Sequence, residues 1–261
     1  MKDRLVELYK YRELLYAIVY RDIRIRYKQS IMGVLWAILM PILIVLSGLV
    51  IRYAYAIASG RSLQMSDVGS VAVKSLPWAF FVSSVRFGCN SLSNNPNLVT
   101  KVYFPKEIFP IAAVLASLFD FFIACGAMMV LLITIRIGWS IYLFWTPVLI
   151  VSLFILVTGI NMVVSAASLF FRDVKYIVDV FLTFGIFFTP VFYDIRMLGK
   201  NGKWLFVNPI APIVDGLGNC VALHRSPQLI WVAYSFALGV IVFIGGYTFF
   251  KHLEPAFAES I

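Results

Sequence analysis

Asp120 stands inside an otherwise apolar run, Ile108 to Ile135, about 18 Å from its start at 1.5 Å per residue. A carboxyl at that depth has two uses: as part of a proton or ion relay, or as a hydrogen-bonding link between helices, with Asn161 and Arg86 as candidate partners. A relay normally needs several such groups, and this chain offers one aspartate. Other chemistry is thin. There is no G-x-x-x-x-G-K-[ST] loop to cradle nucleotide phosphates and no H-E-x-x-H zinc motif. His224 and His252 fall on opposite sides of the membrane in the topology derived below, and no serine elbow accompanies either. Cys89, Cys125 and Cys220 lack metal or redox spacing and read as small buried hydrophobes. The chain is expected to be neither an enzyme nor a metal protein.

The densest mixture of residue types is "NNPNLVTKVYFPKEIFP", residues 94–110, set between two apolar runs. Pro96 can open a short helix and Pro105 can end or kink it, holding the element parallel to the membrane. Val102, Tyr103 and Phe104 offer rigid apolar anchors, and Lys101, Lys106 and Glu107 a polar rim, a composition suited to docking a protein. A loop made basic by topology alone accounts for the lysines but not for the Tyr-Phe pair.

Composition supplies the frame. Of 261 residues 61% are hydrophobic and only 13% charged, and the mean hydropathy is +0.90. Charged residues make up about a quarter of a soluble domain, so this is an integral membrane protein. The net charge is +9, and Lys2, Arg4, Lys10, Arg12, Arg21, Arg24, Arg26 and Lys28 crowd the segment ahead of the first apolar run. That bias places the N-terminus in the cytoplasm, and no nucleic-acid-binding signature accompanies it. The first apolar run comes late, is long and lacks a small-residue cleavage site, so a signal peptide is not expected.

A crossing helix needs about 20 apolar residues. Six runs qualify as an all-α membrane fold: Ile31 to Arg52, Val71 to about Ser93, Ile108 to Ile135, Ile141 to Phe171, the barely sufficient Tyr176 to Tyr193, and Leu229 to Phe250. Both termini are then cytoplasmic. Lys101, Lys106, Arg172, Lys175 and Lys251 share that side, while Arg52, Arg61, Lys74, Arg196, Lys200, Lys203 and Arg225 fall outside. "NPIAPIVDGLGNCVALH", residues 208–224, is too short to span and broken by prolines and glycines. It is expected as a re-entrant hairpin at the outer face, between the fifth and sixth spans. Residues 1–30 form an amphipathic interface helix, with Leu5, Leu8, Tyr9, Leu15, Tyr16, Val19 and Ile23 along one face. It serves either as an anchor or as a docking element. The whole chain, 1–261, reads as a single transmembrane domain: interface helix, membrane domain 31–250 and cytoplasmic tail 251–261.

Aromatics are 16% of residues and many lie within spans. They form interfacial belts and helix packing, or line a pore along which a sugar or lipid slides. Trp36, Trp78, Phe81, Phe184 and Phe188, together with Asp120, are the channel candidates.

Several stretches together resemble the membrane subunit of ABC-2-type exporters, in the branch that moves lipid-linked polysaccharides and teichoic acids. They are "YRELLYAIVYRDIRIRYKQSIMGVLWAILMP" (11–41), "NLVTKVYFPKEIFP" (97–110), "SLFFRDVKYIVDVFLTFGIFFTPVFYD" (168–194), "VNPIAPIVDG" (207–216) and "HLEPAFAES" (252–260). The likeness runs over nearly the whole chain, in order. One departure is the lack of an arginine near Gly216 to Asn219.

The resemblance implies a separate soluble ATPase in two copies, which binds ATP and Mg, and a second copy of this chain with the pore between the two. This chain itself would bind no cofactor. The resemblance further implies a bacterial inner-membrane location and an O-antigen-like lipid-linked polysaccharide as cargo. The alternatives are wall teichoic acid, another drug or lipid exporter of the superfamily, or an ion-coupled carrier leaning on Asp120. The 94–110 loop then looks like a coupling helix that docks on the ATPase through Val99, Lys101, Val102, Tyr103, Phe104, Pro105, Lys106 and Glu107. Arg21/Asp22 and Arg172/Asp173 would be salt-bridge sites transmitting its motion.

Overall fold

A computed structural model describes residues 9–28, 32, 33, 35–58, 60, 62 and 64–259. Leu5 and Leu8 of the amphipathic stripe, Ile31 and Arg61 lie outside the described residues. Within them the regular structure is helical, without strands. Five helices are long and apolar enough to cross a membrane. These are α2 (Leu35–Ala58), α3 (Met65–Cys89), α5 (Ile108–Thr134), α6 (Thr146–Phe170, entered through a 3-10 turn at Ile141–Trp145) and α9 (Leu229–Leu253). The shorter ones are α1 (Arg12–Lys28), α4 (Pro96–Lys101), α7 (Asp173–Gly185) and α8 (Ile210–Val221).

Helix α3 is the hub, packing on α2, α5, α6, α7 and α8. Its length differs from the expected run because it begins at Met65, ahead of the apolar residues. The Asp67 carboxylate accepts the backbone N–H of Gln64 at 3.1 Å, and this cap lets a polar first turn join the helix. Lys74, expected on the outer side, is consequently within α3 and fully buried.

Helix α2 buries only the stripe Pro41, Val45, Gly48, Arg52 and Ala56, which recurs at helical spacing and lies against α3. The most extensive pair is α6 with α9. A Cβ at Gly159 would fall 2.6 Å from the Phe243 backbone, and one at Gly246 would fall 2.4 Å from the Gly159 carbonyl. Small residues here permit near backbone contact, the usual way helices associate where apolar burial from water is absent.

Two expectations change in detail. The run Tyr176–Tyr193 supplies α7, of 13 residues, and a 3-10 turn at Ile186–Phe188, and it stops at Thr189–Pro190. It is therefore not among the five long helices. Residues 208–224 contain one helix, α8, rather than two legs, and Ile210 through Cys220 are all buried. Asn208 Oδ1 accepts the Ile210 N–H at 3.1 Å, and its Nδ2 donates to Thr189 Oγ1 at 3.0 Å, so one side chain caps α8 and ties it to the end of the α7 segment.

Candidate functional site

Pro96 occupies the first turn of α4, where its missing N–H costs nothing. The helix ends at Lys101, and Val102 is extended. The chain bends at Val102 and again at Phe104, and two adjacent rings part there. Tyr103 is 94% exposed while Phe104 is 5% exposed. Phe104 packs on Phe109 with ring centroids 5.6 Å apart, and Val99 is buried in the same cluster.

The expected apolar triad is therefore corrected to Val102 and Tyr103, flanked by exposed Lys101 and Thr100. Pro105 is buried and precedes α5 rather than ending α4. Lys106 and Glu107 are not a free rim. Lys106 Nζ donates to the carbonyls of Val102 (2.5 Å) and Leu98 (3.2 Å), stapling the loop, and lies 4.2 Å from the Phe104 ring centroid. Burial lowers the Lys106 pKa, partly opposed by the charge of Glu254. Glu107 is buried and accepts from Lys251 at 2.5 Å. Lys251 also holds Glu254 at 2.7 Å, and Glu254 accepts the Lys106 N–H at 3.1 Å.

This loop rests on a second hydrophobic cluster. Ile18 from α1, Val99 from α4, Phe104, Phe109 from α5, Met162 from α6 and Phe250 and Phe257 from the chain end pack together. The loop is thus joined to α1, three long helices and the C-terminal segment through close-packed side chains.

The intramembrane carboxylate has a different partner from those expected. Asp120 pairs with Arg26 Nη1 at 2.5 Å and accepts a short hydrogen bond from the Tyr27 hydroxyl. Arg26 also donates to Ser117 Oγ at 3.3 Å and stacks over Phe87 at 3.5 Å. Arg86 pairs instead with Asp179 at 2.9 Å. Asn161 is fully buried, its side chain has no hydrogen-bond partner among the described residues, and a Cβ at Gly88 would collide with it. Burial first, then the hydrogen bond and charge of Asp120, push the Tyr27 phenol above its ordinary pKa, so it remains a donor. Asp120 is thus the anchor of the interface helix, which is clamped to α5 and α3.

Of the two proposed ion-pair sites, Arg21 and Asp22 do pair, at 2.8 Å, but among the described residues only with each other. Arg172 and Asp173 are exposed and make no ion pair among the described residues. Asp173 lies instead in the first turn of α7, where the helix dipole favours a carboxylate. The aromatic candidates also divide. Trp36, Phe184 and Phe188 are exposed on α2 and the α7 segment. Trp78 and Phe81 are buried, with ring centroids 5.4 Å apart, and Gly185 of α7 closes over Trp78. They support the core and present no open face.

The opposite end of the bundle carries a cluster with no local signature in the sequence. Lys74 Nζ contacts Asp194 at 2.6 Å and Asp215 at 3.1 Å, and Arg52 contacts Asp67 at 2.8 Å and Asp194 at 3.2 Å. Asp215 also accepts from Asn219 at 2.7 Å, and Arg52 Nε donates to the Phe192 carbonyl at 3.1 Å. Burial alone would raise the Asp194 pKa, but the charges and hydrogen bonds of Lys74 and Arg52 outweigh it and hold the carboxyl below the ordinary value. The network joins α2, α3, the turn before Ile195 and α8. The one hint was a set of cations, Arg52 and Lys74 among them, assigned to the two longer outer loops.

The 94–110 loop with one protruding tyrosine, the clamped α1 and the ion-locked far end are joined by one helical bundle. The family model for ABC-2 type transporters matches residues 13–221. The chain belongs to the ABC-2 type transporter family. The chain is also 30% identical over 262 residues to the O-antigen export system permease protein RfbA of Myxococcus xanthus, with 98% of each chain covered. Two proteins of the same description from Klebsiella pneumoniae are each 24% identical over 252 residues, covering 95% of each chain. The match of this ABC-2 transporter chain spans every element described above from α1 to α8.

Tyr103 and Phe104 separate by mutation. Phe104→Ala opens a cavity in the loop-end cluster and is expected to cost about 3 kcal/mol of stability. Tyr103→Ala removes an exposed side chain and is expected to stay within about 0.5 kcal/mol of wild type. Thermal unfolding in detergent reads both. Equal losses would place Tyr103 in the core rather than at a docking surface.

Proposed function

We propose that the chain is the membrane permease subunit of an ATP-driven exporter that moves a lipid-linked, O-antigen-like polysaccharide from the cytoplasm across the inner membrane. The observation that carries this is the likeness over 98% of both chains to an O-antigen export permease. In this reading the five long helices and the α7 segment make six crossings, with both termini cytoplasmic and the α8 region at the outer face. The sixteen residues of α7 and its 3-10 turn reach about 25 Å, close to the roughly 30 Å hydrocarbon thickness.

Two copies of the chain would enclose the path, and two soluble ATPase subunits would bind ATP and Mg. Tyr103, Val102 and Lys101 would enter a cleft on the ATPase, and its closure would drive the loop-end cluster and the clamped interface helix as one block. The α8 network would hold the outer side until that motion arrives. An ion-coupled carrier needs a carboxylate free to load and release, and Asp120 is occupied by Arg26 and Tyr27.

Affinity purification of this chain from its own membranes tests the partner. A soluble P-loop ATPase is expected to accompany the wild-type chain and to be depleted about tenfold with Tyr103→Ala, the loss of one interface anchor. A wild-type preparation free of any P-loop protein would overturn the ATP-driven reading.

A further inference from the structure

Arg86 of α3 and Asp179 of α7 form an unusual ion pair. Their contact is 2.9 Å, yet the side chains remain 50% and 57% exposed. Arg86 lies near the end of a membrane-crossing helix, where a long cationic side chain reaches the polar interface. The pair therefore lies on a polar path at the level of the lipid head groups.

Three observations describe what such a path would meet there. Arg86 reaches Asp179 through Nε alone, so its terminal guanidinium N–H groups have no acceptor among the described residues. Lys175 stands one turn before Asp179 on α7; its ammonium reaches Ser93 Oγ at 3.2 Å and no carboxylate among the described residues. Beside these groups, Tyr176, Val180, Phe184 and Phe188 recur every four residues along the α7 segment, exposed by 73%, 55%, 58% and 65%. Two cations and a hydroxyl thus begin an apolar stripe that runs toward the opposite end of the bundle.

The complementary ligand has a multiply charged anionic head and a long apolar tail. A guanidinium fork with an adjacent ammonium matches phosphoryl oxygens. A head bearing more than one charge can also displace the single carboxylate of Asp179.

We propose that Arg86, Lys175 and Ser93 form a head-group subsite for a lipid diphosphate, that Asp179 occupies Arg86 until the head replaces it, and that the α7 stripe carries the lipid chain. This rests on the export reading for the identity of the lipid: it would be the carrier end of the polymer.

The test is binding of radiolabelled farnesyl diphosphate to the full-length protein in nanodiscs of zwitterionic lipid. Arg86→Gln and Lys175→Gln are each expected to weaken binding about tenfold, the loss of one charge-assisted contact. Asp179→Asn, which removes the internal competitor, is expected to strengthen it, and Arg86→Lys to retain most of it. Farnesol is expected not to compete, and inorganic pyrophosphate to compete only at concentrations at least about tenfold higher, because it lacks the tail. Equal weakening by Arg86→Gln and Asp179→Asn would make the pair merely structural and overturn the proposal, as would competition by farnesol. Pyrophosphate competing as well as farnesyl diphosphate would assign the site to the free anion and overturn the lipid. If Arg86→Gln does not fold, the opposite signs expected for Asp179→Asn and Lys175→Gln still decide. The binding measurement does not require export, so its failure leaves the transport reading to be judged by cellular glycans.

Discussion

Lys74→Met is expected to lower the apparent melting temperature in detergent by about 10 °C, from a loss of roughly 3–5 kcal/mol. Methionine fills the space of the lysine stem, so little of this is packing. The loss arises because Asp215 is left in a buried site without its cation and Asp194 with Arg52 alone. Adding Asp215→Asn is therefore expected to recover part of the stability, since the amide is neutral, while Asp194 retains Arg52 at 3.2 Å. Additive losses in the double variant would show that Lys74 acts through something other than these charges. The same network gives this end of the bundle a pH dependence. Asp194 is held below its ordinary pKa, so its contribution is complete above the unfolded value of about 4 and is lost as pH falls through the folded value. Wild type is expected to lose stability on acidification in that range, and Asp194→Asn to lose less of what remains.

Asp120→Asn is expected to release the interface helix. Arg26 is only 11% exposed and would be left without its counter-ion, at a cost of about 3 kcal/mol. Hydrogen exchange in residues 12–28 should rise well above that of wild type, while α6 and α9, joined through Gly159 and Gly246, keep their protection. In the exporter reading transport falls with it, because the block that follows Tyr103 is broken. The exchanged pair Arg26→Asp with Asp120→Arg restores opposite charges across the same gap and is expected to recover protection in part. A swap no better than either single change would mean that Asp120 does not act through Arg26.

The residues differ in how much of this their sequence disclosed. The long helices were legible because a crossing segment satisfies its own backbone hydrogen bonds and shows its apolar surface in a continuous run. Pro96 likewise announced a helix start at the correct position. The ionic contacts were not legible, because they join residues far apart in the chain. Arg26 and Asp120 are 94 positions apart, Arg86 and Asp179 are 93, and Lys74 and Asp215 are 141. No local spacing encodes such pairs, so Lys74 was assigned to an outer loop by topology alone. Phe104 was misjudged for a different reason. Composition ranks it with Tyr103 as an anchor, but the bent chain after α4 turns one ring out and its neighbour inward.

The most direct test of the central claim is to deplete the chain in its own cells and measure lipid-linked glycans by mass spectrometry alongside surface polymer. The account predicts that long lipid-linked polymer accumulates inside while the surface polymer disappears, and the accumulated species identifies the cargo. Unchanged glycans in both places would contradict it.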